Sequence, residues 1–189
     1  MWTLIMIKWI NKLFGKTEQL EQPIEEVKKT MLDMPELINR FIYHEGLRLE
    51  PYRCTRGKLT IGIGRCIDTN PFTTEELIAI GDWGHGITRE AAYMLCKNDI
   101  KKSIEDLRKN VPFFDKLDSE RQYALIDMCF QLGIKGLLKF KKMLSAMGVG
   151  NYREASRQCL DSEYAKQTPR RANEIANCIE KGRFEKWNG

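Results

Sequence analysis

The sequence predicts an α+β protein in which helices predominate and strand is confined to one short region. Two observations carry this. Apolar residues return at helical spacing along most of the chain, whereas residues 59–64, LTIGIG, alternate in the manner of a strand. A length of 189 residues sets the scale: one domain, or one domain with two lobes, able to bury a core without metals or disulfides.

Residues 1–16, MWTLIMIKWINKLFGK, gather Trp, Ile and Leu on one side and lysines on the other, a basic amphipathic segment. It is shorter than the roughly 20 apolar residues a spanning helix needs and is interrupted by Lys8, so a terminal helix packed on the body or contact with a membrane surface is expected. No small-residue cleavage site follows it, which argues against a secretory signal. Residues 17–22 are polar and read as a linker, with Pro23 suited to the first turn of a helix. The remainder, residues 23–189, is expected to form the main domain.

Residues 24–43 carry a helical apolar pattern that Pro35 splits in two, and the second part delivers Glu45 just before Gly46, a residue able to end a helix. A short loop through Pro51 and a turn at residues 55–57 lead into the strand-like run, whose glycines leave room for close approach. Residues 68–86, rich in Thr, Gly, Asp and Pro, read as loop. Trp83 there either plugs the core or stacks on a sugar face, and His85 has no sequence neighbour that would make it a metal ligand. Thr88 caps a long helix over REAAYMLCKNDIKKSIEDLRKN, which Pro112 helps to stop. Helices are expected over residues 119–132, 136–147 and 152–160, and another starts near Pro169.

Lysine and arginine total 31 against 26 Asp and Glu, a formal charge of +5 that suits an anionic partner. No Lys/Arg block is longer than a pair, so no nucleic-acid arm is expected. The six cysteines form no CxxC and have no His at zinc spacing, so neither a metal nor a cofactor is called for. Cys96, Cys129, Cys159 and Cys178 lie beside apolar residues on helical patterns and read as core. An even count permits disulfides, but the sequence supplies no pairing; a bridge between Cys54 and Cys66 would close a loop across Thr60.

Eight residues lie between Glu45 and Cys54, and five between Cys54 and Thr60. Framed as HEGLRLEPYRCTRGKLTIGIGR, this spacing resembles the phage-type lysozymes, whose signature is a Glu at a helix end, then a carboxylate or thiol, then a Thr. The resemblance extends over residues 34–187, about four-fifths of the chain. It implies a small lobe with a short antiparallel sheet (about residues 46–87), a connecting helix (about 88–110) and a larger helical lobe (about 111–187), with the cleft between the lobes. It also implies an endolysin, a monomer made in the host cytoplasm that cleaves the peptidoglycan of the periplasmic wall; a wall-binding protein without turnover is the alternative.

Residue by residue, the resemblance makes Glu45 the acid, Cys54 the occupant of the place where many relatives have Asp, and Thr60 the holder of the attacking water. Cys66 and the Phe130–Gln131 pair are expected to bind substrate in the cleft, and Arg171 to tether the last lobe to Glu45. A thiol acts as an anion only where its pKa is depressed, for which Arg53, Arg56 and Arg65 are candidates. Where a close relative has Asp before the acid and Arg further on, this chain has His44 and Glu174. Both signs are reversed, so a contact with His44 as its cation is expected.

Overall fold

The computed structural model describes residues 32–186 apart from Arg56. The expectations for the basic N-terminal segment, the linker, Pro23, the first part of the 24–43 helix, Arg56 and Trp187 fall outside the described residues.

The first described helix, α1 (Met34–Glu45), begins because the Asp33 side chain accepts from the Glu36 N–H and Pro35 occupies the first turn, where its missing N–H costs nothing. It ends at Gly46, which takes φ +76° and returns its N–H to the Ile42 carbonyl at 2.9 Å. Leu37, Ile38 and Phe41 face the core, so the helix is fixed along one side and presents Glu45 at its open end.

Three antiparallel strands follow in the order β1 (Arg48–Arg53), β2 (Leu59–Gly62), β3 (Arg65–Cys66). The expected loop through Pro51 is therefore a strand. Pro51 is tolerated because β1 is an edge, where the missing donor need not serve a second neighbour. The alternating run also divides: β2 stops at Gly62, and Ile63 and Gly64 make the turn into β3. Register pairs Tyr52 with Thr60 and Thr60 with Cys66, so these three side chains share one face of the sheet.

Residues 68–86 are not all loop. They contain α2 (Thr74–Ile80), started by a capping box in which Thr73 and Glu76 bond each other's backbone N–H, and a 3-10 turn at Trp83–His85. Trp83 packs edge-on to Phe72 beside a small core of Ile61, Ile87, Ala92 and Leu95, and His85 is exposed. The long helix α3 (Arg89–Asn110) is capped by Thr88 as expected.

The helical part consists of α4 (Ser119–Leu137), α5 (Lys141–Gly148), α6 (Tyr152–Leu160), α7 (Glu163–Gln167) and α8 (Pro169–Lys181). The expected helix over 136–147 is divided, because residues 138–140 turn between α4 and α5. Gly133 interrupts α4 with φ +67°. The main core joins α1, α3 and these helices around Phe41, Leu107, Tyr123, Met128 and Ile175. Cys96, Cys129, Cys159 and Cys178 are buried in it. Among the described residues no helix is long and apolar enough to cross a membrane.

Candidate active site

A cleft of about 730 Å³ opens between the sheet face and the helices. Glu45, Tyr52, Cys54, Thr60 and Cys66 line one side, and Phe130, Gln131, Gln167 and Thr168 are also on its wall. Each position has a local cause. Glu45 is carried by the end of α1, where the turn at Gly46 stops the chain from covering it. Gly64, at φ +71°, lies against the Glu45 side chain so closely that a Cβ there would meet Cγ at 2.9 Å and both Cδ and Oε2 at 3.0 Å. The second glycine of the TIGIG run thus makes room for the acid's own side chain.

Cys54 is held at the end of the first hairpin. Its N–H donates to the Lys58 carbonyl at 2.9 Å, and its carbonyl accepts from the Gly57 N–H at 2.8 Å. Thr60, on the cleft wall, donates its hydroxyl to the Lys58 carbonyl at 3.1 Å, which leaves its oxygen lone pairs available as acceptors. The Phe130 ring leans on Phe41 with centroids 4.3 Å apart, which anchors that wall to the core. Gln131 Oε1 is buried without a hydrogen-bond partner among the described residues.

Behind Glu45 lies a buried charged network. Arg171, on α8, bonds Glu45 Oε1 through Nη1. Its Nε donates to Asp127 Oδ1 at 2.7 Å and its Nη2 to Asp127 Oδ2 at 3.2 Å. Burial alone would favour a neutral Arg171, but Asp127 and Glu45 outweigh it and hold the guanidinium well above its ordinary pKa. Tyr43 donates to Glu174 at 2.9 Å, which raises the Tyr43 pKa.

His44 and Glu174 meet, with Nε2 and Oε2 3.6 Å apart, and Asp127 is 3.8 Å from the same nitrogen. The expected cation is not favoured. The His44 side chain is 1% exposed, and burial pushes its pKa below the ordinary value, with Arg171 adding to the effect against the pull of Asp127 and Glu174. The contact was inferable from the paired sign reversal; the protonation state was not, because it depends on burial.

Of the arginines expected to act on Cys54, the two that are described, Arg53 and Arg65, have other work. Arg65 is buried and bonds Glu76 at 2.7 Å and Asp99 at 3.1 Å, while Arg53 donates to the Gly57 carbonyl at 2.7 Å. Burial raises Asp99 to about 6 against the opposing charge of Arg65. The six cysteines are not joined by disulfides. A Cys54–Cys66 bridge is disfavoured by the sheet order: Cys54 follows directly on β1 and Cys66 lies on β3, with β2 between them, and two strand spacings of about 4.8 Å put the Cα atoms beyond the roughly 7 Å reach of a disulfide. Among the described residues no group of three His, Cys, Asp or Glu is placed to hold a metal ion.

The phage lysozyme pattern matches residues 43–175, a span that begins two residues before Glu45 and includes Arg171. The chain belongs to the phage lysozyme family. Its relatives include probable T4-type lysozyme 2 of Dictyostelium discoideum, 31% identical over 159 residues that cover 77% of this chain and 94% of that protein. Probable T4-type lysozyme 1 of the same organism is 31% identical over 154 residues, 74% of this chain and 91% of that one. The pre-baseplate central spike protein Gp5 of Enterobacteria phage T4 is 31% identical over 184 residues, covering 88% of this chain but only 31% of that protein.

Within this phage lysozyme architecture, all six residues expected to act on or bind substrate line one cleft, and Arg171 reaches Glu45 from behind. Two residues of the site escaped the sequence. Tyr52 lies in the cleft near both Glu45 and Cys54, and burial followed by the Glu45 charge raises its pKa. Reading β1 as a strand would have put it in register with Thr60. Asp127 had a plainer signal: it is a lone acid between Ile126 and Met128 in an apolar helix segment, where a buried charge needs a partner.

Proposed function

We propose that this protein is an endolysin that hydrolyses the β-1,4 bonds between N-acetylmuramic acid and N-acetylglucosamine in bacterial peptidoglycan. It is made in the host cytoplasm and acts on the periplasmic wall. The observation that supports this most is at the end of α1: Glu45, backed by Arg171, shares one cleft with Cys54 and Thr60.

Cleaving a glycosidic bond needs a proton for the departing oxygen, stabilisation of an oxocarbenium-like transition state and an aimed water. In this reading Glu45 delivers the proton to the departing oxygen, and the attacking water, once bonded to the anomeric carbon, releases a proton to solvent in the open cleft, from which Glu45 is reprotonated. Thr60 accepts a hydrogen bond from the attacking water, since its own hydroxyl proton is directed at Lys58. Cys54 occupies the position where many relatives have a carboxylate and turns its sulfur toward the water and the developing positive charge. Gln131 Oε1, buried and without a protein donor, suits a substrate N–H such as that of an acetamido group, and Phe130 and Cys66 flank the sugar chain.

The test is clearing of outer-membrane-permeabilised bacteria. Wild type should lyse them and Glu45→Gln should not, with the fold retained by circular dichroism. A wall-binding protein without turnover would pellet with walls and leave turbidity unchanged. Equal lysis by Glu45→Gln would refute the assignment of the acid.

A further inference from the structure

A general acid next to an arginine faces a problem of charge. An opposite charge within about 4–6 Å favours the ionised carboxylate by roughly 1–3 pH units, and that form has no proton to give. Arg171 bonds Glu45 directly, so a guanidinium acting on Glu45 alone would hold the acid in its spent form.

The guanidinium is shared. Two of its nitrogens, Nε and Nη2, grip the two oxygens of Asp127, leaving Nη1 for Glu45. Paired, two-pronged contacts of this kind are the strongest an arginine makes. Asp127 is fixed from another side as well, because Tyr123 donates its hydroxyl to Oδ2 at 3.1 Å. Burial sharpens the division: Asp127 is 0% exposed, whereas the Glu45 side chain keeps 23% of its surface open to solvent. The attraction between Arg171 and Asp127 is therefore screened least.

We propose that Asp127 is a positioning residue of the hydrolytic site, taking up most of the Arg171 charge so that Arg171 can orient the Glu45 carboxyl without stripping it of its proton. This rests on the reading of Glu45 as the acid. Arg171 then works as a rigid strut between the end of α1 and α8, with its charge answered on the far side by α4.

The other groups around Glu45 leave that balance to Asp127. His44, its neighbour on α1, is driven toward the neutral form by burial. Glu174, on α8, lies against His44 and Tyr43. Tyr52, with Arg48 over its ring, and Cys54 approach from the sheet side. Cys96 faces Glu45 from α3, while Tyr164 on α7 and Tyr123 on α4 flank Arg171 and Asp127. Among these described groups Arg171 brings the positive charge in contact with Glu45, and Asp127 is the carboxylate that grips it from behind.

The experiment is the pH dependence of wall clearing by wild type and Asp127→Asn, with circular dichroism at each pH. Asparagine keeps the shape and an acceptor for Tyr123 but removes the charge. The alkaline limb of the rate profile should move toward acid by about one pH unit, so the rate falls about tenfold on that limb and recovers at lower pH. A purely structural role would lower the rate at every pH and leave the limb in place; that outcome overturns the proposal.

Should Asp127→Asn not fold, Arg171→Gln is compared with Arg171→Gln plus Asp127→Asn, a double change that leaves no buried cation unpaired. The limb of the single variant should lie at higher pH, because the Asp127 carboxylate then acts on Glu45 unopposed, and coincident limbs overturn the proposal. Undiminished lysis by Glu45→Gln would refute the acid and this role together. Loss of lysis in Glu45→Gln with an unmoved limb in Asp127→Asn would refute the role of Asp127 alone.

Discussion

Gly64→Ala should injure activity far more than stability, and Gly62→Ala provides the comparison. Both glycines have left-handed backbones, with φ +71° and +67°. Placing an L side chain in that region costs about 1–2 kcal/mol. At Gly62 the new methyl would find Ala92 Cβ at 3.5 Å, an ordinary contact. At Gly64 it would find three atoms of the Glu45 side chain at 2.9–3.0 Å. Carbon atoms settle at about 3.5–4.0 Å, so relief requires a shift of roughly half an ångström or more. The acid has little freedom to yield, since Arg171 holds it from the other side. Each variant should lose about 1–2 kcal/mol, which in a chain of this size lowers the thermal midpoint by about 2–4 °C per kcal/mol. Misplacing a catalytic group by about 1 Å costs up to a hundredfold in rate, so Gly64→Ala should clear walls roughly ten to a hundred times more slowly, while Gly62→Ala stays near wild type. Melting curves and initial clearing rates on the same preparations decide the matter. If the two variants clear equally fast at equal stability, the contact between Gly64 and Glu45 has no bearing on catalysis.

Alkylation of Cys54, confirmed by mass spectrometry, should inactivate the wild type by filling the cleft opposite Glu45, whereas Cys54→Asp should remain active and resist the reagent at this site. Full activity of the alkylated protein would remove Cys54 from the mechanism. For His44 the folded pKa is lowered, chiefly by burial, so its contribution to stability is complete above the unfolded value of about 6.5 and is lost as pH falls through the folded value. The thermal midpoint should therefore drop with acidification below about 6.5 more steeply in wild type than in His44→Asn. An NMR titration showing His44 protonating above about 6.5 would contradict this and restore the cation.

The parts of the fold that were legible are those written in local residues. The long helix α3 could be bounded because Thr88, a sustained apolar period and Pro112 all act within a few residues of its ends. Glu45 at a helix terminus was equally local. Strand β1 was hidden because RLEPYR is an edge strand with four exposed positions and a proline, lacking the apolar alternation that marks a buried strand. Helix α2 was hidden by length and surroundings, although the Thr73 and Glu76 spacing of its capping box stands in the sequence. The turn between α4 and α5 has neither Gly nor Pro among residues 138–140, so the apolar pattern ran on across it. Pairings such as Arg171 with Asp127, 44 residues apart, belong to the tertiary fold. Cleft membership came through the family motif; the division of charge behind the acid did not, because it depends on which buried partner a guanidinium meets.

The anchoring of Arg65 has a consequence for the opening motions of the molecule. A sheet with strands of six, four and two residues is too slight to persist by itself. Its innermost charge, on β3, is locked to Glu76 of α2 and Asp99 of α3, and separating them would strand a buried ion. The sheet therefore cannot fray independently of the long helix. In native-state hydrogen exchange, amides of β2 and β3 should share the opening free energy of mid-α3 amides, forming one cooperative unit with them. The floor on which Thr60 and Cys66 sit thus has the endurance of a 22-residue helix instead of that of a small hairpin.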